Sequence, residues 1–252
     1  MRIGIIGAGN MARALARGWG EPVLCTDSGS GSAQALVDEL GGERVAGNRE
    51  LAQRSDLVVL CHKPYQLHAV AEEIGSAAKA VASVLGGTGV DELQRAYPTA
   101  SVFVLIPNTP VEIGRGVTVY ARREPPPPME QEVLSLFARL GEVVSVPERL
   151  LDAATAVSGV GPAYWALLAE AQVDAAVRKG LTAALASRLV TATMSGSAAL
   201  IEARAHDTLR VRREVTSPGG STARGLEALE AAGVRRAFHA AIEAVVDPGR
   251  GR

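Results

Sequence analysis

The stretch RIGIIGAGNMARALARGW, residues 2–19, decides the fold. Arg2–Ile6 is a short apolar run that reads as a buried strand. It ends in Gly7-Ala8-Gly9-Asn10-Met11-Ala12, a G-x-G-x-x-A turn. Asn10–Trp19 then has helical spacing and closes near Gly20. In such a turn the first glycine bends the chain sharply, and the second lets backbone approach a pyrophosphate. The small third residue lets helix and strand pack closely, while the helix N-terminus offers N–H groups to the phosphates. The motif is weak alone, but a strand before it and a helix after it point to dinucleotide binding rather than a structural glycine turn.

Outward from this turn, strands and helices alternate. Pro22–Thr26 reads as the second strand and Ala33–Leu40 as a helix. Arg44–Ala46 is a brief third strand, and Asp56–Cys61 (DLVVLC) gives the clearest strand pattern in the chain. A helix at Tyr65–Ser76, a strand at Ala80–Leu85 and a helix at Val90–Ala96 follow, then strands at Ser101–Ile106 and Gly116–Ala121. This order predicts a doubly wound parallel sheet with helices on both faces. Pro125–Pro128 is a turn into a helix at Glu130–Leu140, and Glu142–Val146 is a last strand.

From about Glu148 only helical patterns remain, at Leu150–Ala156, Pro162–Lys179, Ala183–Arg204 and Thr222–Val246. The expected boundary lies near Pro147. Residues 1–147 form a Rossmann-type dinucleotide-binding domain, and residues 148–252 an all-α domain. Composition agrees: 25 of the 43 alanines fall in residues 151–247. Alanine is the best helix former, so close-packed helices are expected there.

The same composition excludes other classes. Apolar content of 47% and charged content of 21% fit a folded globular protein, not a disordered one. A net charge of −1 offers no electrostatic reason to invoke nucleic acid or a membrane surface. Two cysteines, Cys25 and Cys61, make no disulfide framework and suit a reducing, cytoplasmic setting. No apolar run approaches the roughly 20 residues of a membrane span, and no leader pattern precedes the first strand. No metal-ligand spacing or Ser–His–Asp set is visible among the scattered His62, His68, His206 and His239.

Three loops collect at the edge where such a sheet binds ligands. Asp27 lies 20 residues after Gly7, where an acid accepts hydrogen bonds from the ribose hydroxyls of NAD. It would repel the extra phosphate of NADP, yet Ser28, Ser30 and Ser32 are donors for that phosphate, and no arginine follows until Arg44. The choice between NADPH and NADH therefore stays open. His62-Lys63-Pro64 follows the best strand, and Asn108, between Pro107 and Pro110, offers a donor and an acceptor to a nicotinamide or a substrate.

At this point the sequence resembles the pyrroline-5-carboxylate reductases. The resemblance rests on GAGNMA at Gly7–Ala12, HKP at His62–Pro64, PNTP at Pro107–Pro110 and SGVGPAY at Ser158–Tyr164. VTSPGGSTARGLEALE at Val215–Glu230 is its most specific part. It departs from the family pattern at Ile106, Val160 and Thr182. The resemblance implies reduction of the cyclic imine 1-pyrroline-5-carboxylate to proline with NADPH or NADH. It implies cofactor contacts at Gly7, Ala8, Gly9, Asn10, Met11, Asp27, Ser28, Asn48, His62, Lys63, Pro64 and Asn108. Substrate contacts fall at Ser158, Ser217, Gly219, Gly220, Ser221 and Thr222, with the Thr222 hydroxyl bonded to the ring nitrogen. It also implies a helical second domain that dimerises, with dimers joining into a decamer.

The implied chemistry suits the residues. An iminium is already electrophilic, so positioning outweighs strong acid catalysis. Ser217–Thr222 is a glycine-containing turn opening a helix, where N–H groups converge on a carboxylate; plain N-capping is the alternative role for its hydroxyls. Ser158–Pro162 also opens a helix, and serves either the substrate or a close helix connection. The rivals are a β-hydroxyacid dehydrogenase-like oxidoreductase and a non-catalytic nucleotide-binding regulator. The first would place a lysine about one turn into the helix after the glycine-rich segment, and Tyr164–Ala171 has none. The site is expected to take its cofactor from one compositional half and its substrate from the other.

Overall fold

The computed structural model describes residues 1–246. The chain divides into two compact units, Met1–Pro162 and Ala163–Arg252.

The first unit is built on an eight-stranded sheet: β1 (Ile3–Ile6), β2 (Val23–Thr26), β3 (Gly42–Arg44), β4 (Leu57–Leu60), β5 (Ala80–Ser83), β6 (Ser101–Pro107), β7 (Gly116–Arg122) and β8 (Gly141–Pro147). Their spatial order is 3-2-1-4-5-6-7-8. β1 pairs in parallel with β2 on one side and β4 on the other, so the order reverses there. Ligands of open α/β sheets bind outside the strand ends at that point.

The inner strands β1, β2, β4 and β5 are buried at every position, because helices cover both faces. One face packs α1 (Asn10–Trp19), α2 (Ser32–Leu40) and α6 (Glu130–Ala138) through Leu15, Trp19, Leu36 and Phe137. Trp19 meets Phe137 edge-on at 5.6 Å and donates its indole N–H to the Leu136 carbonyl. The other face packs α3 (Asn48–Arg54), α4 (Leu67–Ile74), α5 (Val90–Ala96) and α7 (Leu151–Ser158) through Leu51, Val70, Leu93 and Leu151. With few aromatics, aliphatic side chains fill both layers.

Four sequence expectations change. The sheet is parallel except between β6 and β7, which run antiparallel. The connection between them is short and holds one 3-10 turn, Thr109–Ile113, whereas a parallel crossover needs a dozen or more residues. β3 starts two residues early because Gly42, at φ 111°, lies against the Val23 backbone where no side chain fits. Pairing with β2 continues to Val45 N–H, which donates to the Cys25 carbonyl. α3 has only seven residues, too few to show helical periodicity, and was not anticipated. The helix expected from Tyr65 opens instead as a 3-10 turn, Pro64–Gln66, before α4.

The second unit contains α8 (Gly161–Val177, which starts in the first), α9 (Ala183–Ala203), α10 (Thr208–Glu214), α11 (Ser221–Ala231) and α12 (Val234–Val246). α10 was unforeseen; Asp207 caps it by accepting the Arg210 N–H at 2.9 Å. The single helix expected over Thr222–Val246 is two, broken at Gly233 with φ 79°. Thr182, where the family pattern has proline, caps α9 through the Leu185 N–H. Close packing of the alanine-rich helices is not found within one chain. Among described residues after Ala163, Ala186 is the one buried hydrophobic side chain, while Trp165, Leu167 and Leu189 are more than half exposed or close to it. α9 also has the length and hydropathy of a membrane span while being almost wholly exposed in this chain, which revises the expectation that no segment approaches one.

Candidate active site

The G-x-G-x-x-A turn is shaped by contacts that its sequence requires. Gly7 has φ 93°, and a Cβ there would lie 2.7 Å from His62 N. Its own N–H donates to the Thr26 carbonyl at 2.9 Å. The turn is thus pressed between the ends of β2 and β4. Gly9 differs: its backbone is extended, and a Cβ would meet nothing within 4 Å. It is the N-cap of α1, and no side chain caps that helix. The first N–H groups of α1 therefore face open space, which is the arrangement an anion uses.

That space is a cleft of about 660 Å³. Its lining includes Gly7 to Met11 from the turn, Thr26 to Ser28 from the end of β2, Asn48 from the start of α3, and His62 and Lys63 from the end of β4. Ten of the twelve expected cofactor residues are thereby brought together; Pro64 and Asn108 do not line it. Thr26, Gln66 and Glu73 do line it and were not anticipated. Thr26 was legible as the last residue of a strand at the ligand edge. Glu73 carries no sequence signal, since nothing in the sequence sets it apart from its neighbour Glu72 on α4.

The walls are held by specific hydrogen bonds. The Thr26 hydroxyl donates to Asn48 Oδ1 at 2.7 Å, and Asn48 Nδ2 donates to Glu73 Oε2 at 2.5 Å. Asp27 closes its own loop: its carboxylate accepts from Gly29 N–H at 3.1 Å, Ser30 O–H at 2.9 Å and Ala33 N–H at 3.0 Å. Partial burial works to raise its pKa, but the bonds from Ala33, Ser30, Gly29 and Ser32 outweigh that and hold it below the usual carboxylate value. Burial pushes the His62 imidazole down, against a smaller upward pull from the Lys63 carbonyl 2.9 Å from Nδ1. His62 is thus neutral near pH 7, and its enclosed Nε2 has no hydrogen-bond partner. Lys63 N–H donates to Gln66 Oε1, which fixes the loop ahead of Pro64. Burial raises the Cys25 thiol to about 12 and the Cys61 thiol higher, so neither is a nucleophile.

Asn108 and Ser158 are joined to each other. Asn108 Nδ2 donates to the Ser158 carbonyl at 3.0 Å, and Asn108 Oδ1 accepts from Val117 N–H at 2.8 Å. The Ser158 hydroxyl donates to the Ala154 carbonyl inside α7. Most of the polar capacity of both side chains is spent on backbone, which leaves Asn108 one free N–H.

In the second unit, Ser217–Gly220 forms a turn closed by Gly220 N–H to the Ser217 carbonyl at 3.1 Å. Gly219 has φ 67°, and a Cβ on Gly220 would strike the Ser217 hydroxyl. Gly219 is therefore favoured by its left-handed backbone, whereas a side chain at Gly220 would have to turn the Ser217 hydroxyl aside. Arg224 braces the turn by donating to the Gly219 carbonyl at 2.7 Å. The N-cap of α11 is Gly220, with no side-chain cap. The capping alternative for Ser221 and Thr222 is not realised: both lie inside the helix, and its leading N–H groups carry no side-chain partner.

Among described residues no group of three or more His, Cys, Asp or Glu side chains is placed to hold a metal ion. A nicotinamide dinucleotide fits instead. The open approach at Gly9, the uncapped α1 terminus and the unpartnered His62 Nε2 match a ligand with an anionic middle and polar ends.

Comparison with known proteins agrees with this geometry. Residues 148–251 match the family model for pyrroline-5-carboxylate reductase dimerisation, and residues 2–87 match that for coenzyme F420-dependent NADP oxidoreductases. A pyrroline-5-carboxylate reductase of Synechocystis is 35% identical over 254 residues, covering 97% of this chain and 95% of the relative. Among solved structures, Plasmodium falciparum pyrroline carboxylate reductase with NADP bound superposes with a TM-score of 0.87 at 27% identity, covering 98% of this chain and 96% of that one. The pyrroline-5-carboxylate reductase of Coxiella burnetii gives 0.86 at 30% identity, with the same coverage.

Proposed function

We infer that this chain, which belongs to the pyrroline-5-carboxylate reductase family, reduces 1-pyrroline-5-carboxylate to L-proline with NADPH or NADH. The observation that carries the reading is the Ser217–Thr222 turn, an uncapped helix start in the unit that the dimerisation family matches. It offers convergent N–H donors to a small carboxylate without a basic side chain.

When bound, the reduced nicotinamide supplies a hydride to the imine carbon. The chain's own residues bind, orient and protonate. Gly7, Gly9 and the N–H groups of Asn10 and Met11 hold the pyrophosphate. Ala8, His62 and Lys63 shape the wall beside β4, and Pro64 stiffens the loop behind it. Asp27, Ser28 and Asn48 take the adenosine ribose. Asn108 holds the Ser158 carbonyl at the end of α7 and, although outside the cleft lining, is the proposed partner of the carboxamide. Ser217, Gly219, Gly220 and Ser221 receive the substrate carboxylate. Thr222 donates its hydroxyl hydrogen bond to the ring nitrogen of the neutral imine and helps supply the proton that nitrogen takes up as it becomes the secondary amine of proline. Since an imine polarised in this way is already an electrophile, orientation supplies most of the rate.

The dimerisation match and the exposed apolar side chains of α8 and α9 support an oligomer. We propose a homodimer as its unit, with a decamer of five such dimers as the larger assembly, acting in the cytoplasm. We also propose a domain boundary near Pro147; the match of residues 148–251 to the dimerisation family supports it.

Turnover of pyrroline-5-carboxylate, followed by nicotinamide absorbance with each cofactor, tests the reading. No oxidation of either cofactor would overturn it. Thr222→Ala is expected to lose turnover by about tenfold or more while keeping its affinity for the dinucleotide; wild-type turnover in that variant would remove Thr222 from its role.

A further inference from the structure

The adenosine end of the cleft has a distinctive charge arrangement. Its charged lining comprises Asp27 and Glu73, with Lys63 on the loop after β4 as the one cation. No arginine lines it among the described residues; neither Arg44 after β3 nor Arg49 on α3 does so. The position that reads the ribose in this fold is the end of β2, which here is Thr26 and Asp27.

Most donors at that end are already taken; the Ser28 hydroxyl, which lines the cleft, is the exception. A 2′-phosphate would draw on the N-terminus of α2 and the serine-rich loop before it. The Ala33 N–H at that terminus, the Gly29 N–H and the Ser30 hydroxyl are all bonded to the Asp27 carboxylate. The Ser30 and Ser32 hydroxyls, 2.9 Å apart, are bonded to each other. Asp27 thus acts as a built-in anion where the extra phosphate would seat. The opposite wall is fixed as well. Glu73 is acceptor-only when ionised, so it must face the Asn48 NH2 group, and Asn48 Oδ1 must then accept from Thr26. This leaves one Asn48 N–H with a set direction, able to donate to a ribose hydroxyl, with the Glu73 charge directly behind it.

We propose that this end of the cleft selects NADH over NADPH: Asp27 occupies three of the donors a 2′-phosphate would use, leaving it the Ser28 hydroxyl, and Asp27 and Glu73 set two negative charges against it. The inference rests on the cofactor reading above and deepens it. A 2′-hydroxyl loses nothing by this arrangement, because it can donate to a carboxylate and accept from Asn48. A 2′-phosphate must either displace Asp27 from three hydrogen bonds or sit as a dianion beside two carboxylates.

Direct binding titrations of NADH and NADPH, read by fluorescence without substrate, test this separately from turnover. NADH is expected to bind at least about tenfold more tightly to the wild type. Asp27→Ser frees the loop donors and should move the ratio of the two Kd values about tenfold toward NADPH; Glu73→Gln, on the exposed side of α4, should move it about fivefold. The second variant decides the matter if the first loses its fold. Equal or tighter NADPH binding by the wild type would overturn the proposal, as would an unmoved ratio in the folded variants. Binding of neither dinucleotide would overturn the cofactor reading along with it, whereas binding without proline formation would count against the reductase step alone.

Discussion

Gly7 and Gly9 sit two residues apart in one motif, yet the structure separates their tasks. In Gly7→Ala the new Cβ meets His62 N at 2.7 Å and the Cys61 carbonyl group at 2.8 Å, all backbone. It must also hold φ 93°, outside the range of L side chains. Left-handed strain costs about 1–2 kcal/mol and overpacking about 1–3 kcal/mol, so a loss near 3 kcal/mol is expected. Gly9→Ala has neither problem, with φ −74° and open space around the Cβ. Its gain of about 0.4–1 kcal/mol from a less flexible unfolded chain is offset by a poorer N-cap, for a net change within about 0.5 kcal/mol. The methyl group instead projects where a pyrophosphate would approach, and should weaken dinucleotide binding by about 10–100-fold. Urea denaturation gives the first quantity and a fluorescence titration the second. If Gly9→Ala destabilised as much as Gly7→Ala, or bound NADH as the wild type does, the assignment of the second glycine to ligand approach would fail.

Other outcomes follow from particular contacts. Asn108→Ala leaves the Val117 N–H and the Ser158 carbonyl without their partners in a partly buried setting, and should cost about 1–3 kcal/mol in urea denaturation; a loss below about 0.5 kcal/mol would show that solvent replaces both bonds. Leu189→Glu places a charge on the exposed apolar surface of α9, and light scattering should then report a mass nearer the 26.1 kDa of one chain; an unchanged oligomer would clear α9 of any interface role. The Asp56 carboxyl is held below its usual value by the Arg2 N–H and then by Lys79. Its folded pKa is the lower one, so its contribution is present above about pH 4 and is lost as pH falls through the folded value. Acid unfolding should therefore be less steep in Asp56→Asn, and identical acid limbs would contradict the bond to Arg2.

What could be read in advance was what local chemistry dictates. The first turn was legible because each glycine answers a steric demand that the sequence itself displays, and DLVVLC was legible because a strand buried on both faces must be apolar throughout. Asn48 and Glu73 lie on different helices, and their 2.5 Å hydrogen bond arises only when α3 and α4 pack side by side on the sheet. No periodicity encodes such a meeting. Asp27 shows the other limit. Its position made it a reader of the ribose, but the three donors that occupy it come from residues up to six positions later, and they converge only after Gly29 and Gly31 adopt φ 92° and 77°. The alanine-rich half fails differently. Its helices were expected to pack on one another, and in one chain they leave Trp165 and Leu189 in solvent. A hydrophobic pattern states that a face will be covered and is silent on what covers it. In a unit that the dimerisation family matches, the proposed cover is another copy of the same sequence, and the burial that composition foretold would then be a property of the assembly rather than of the chain.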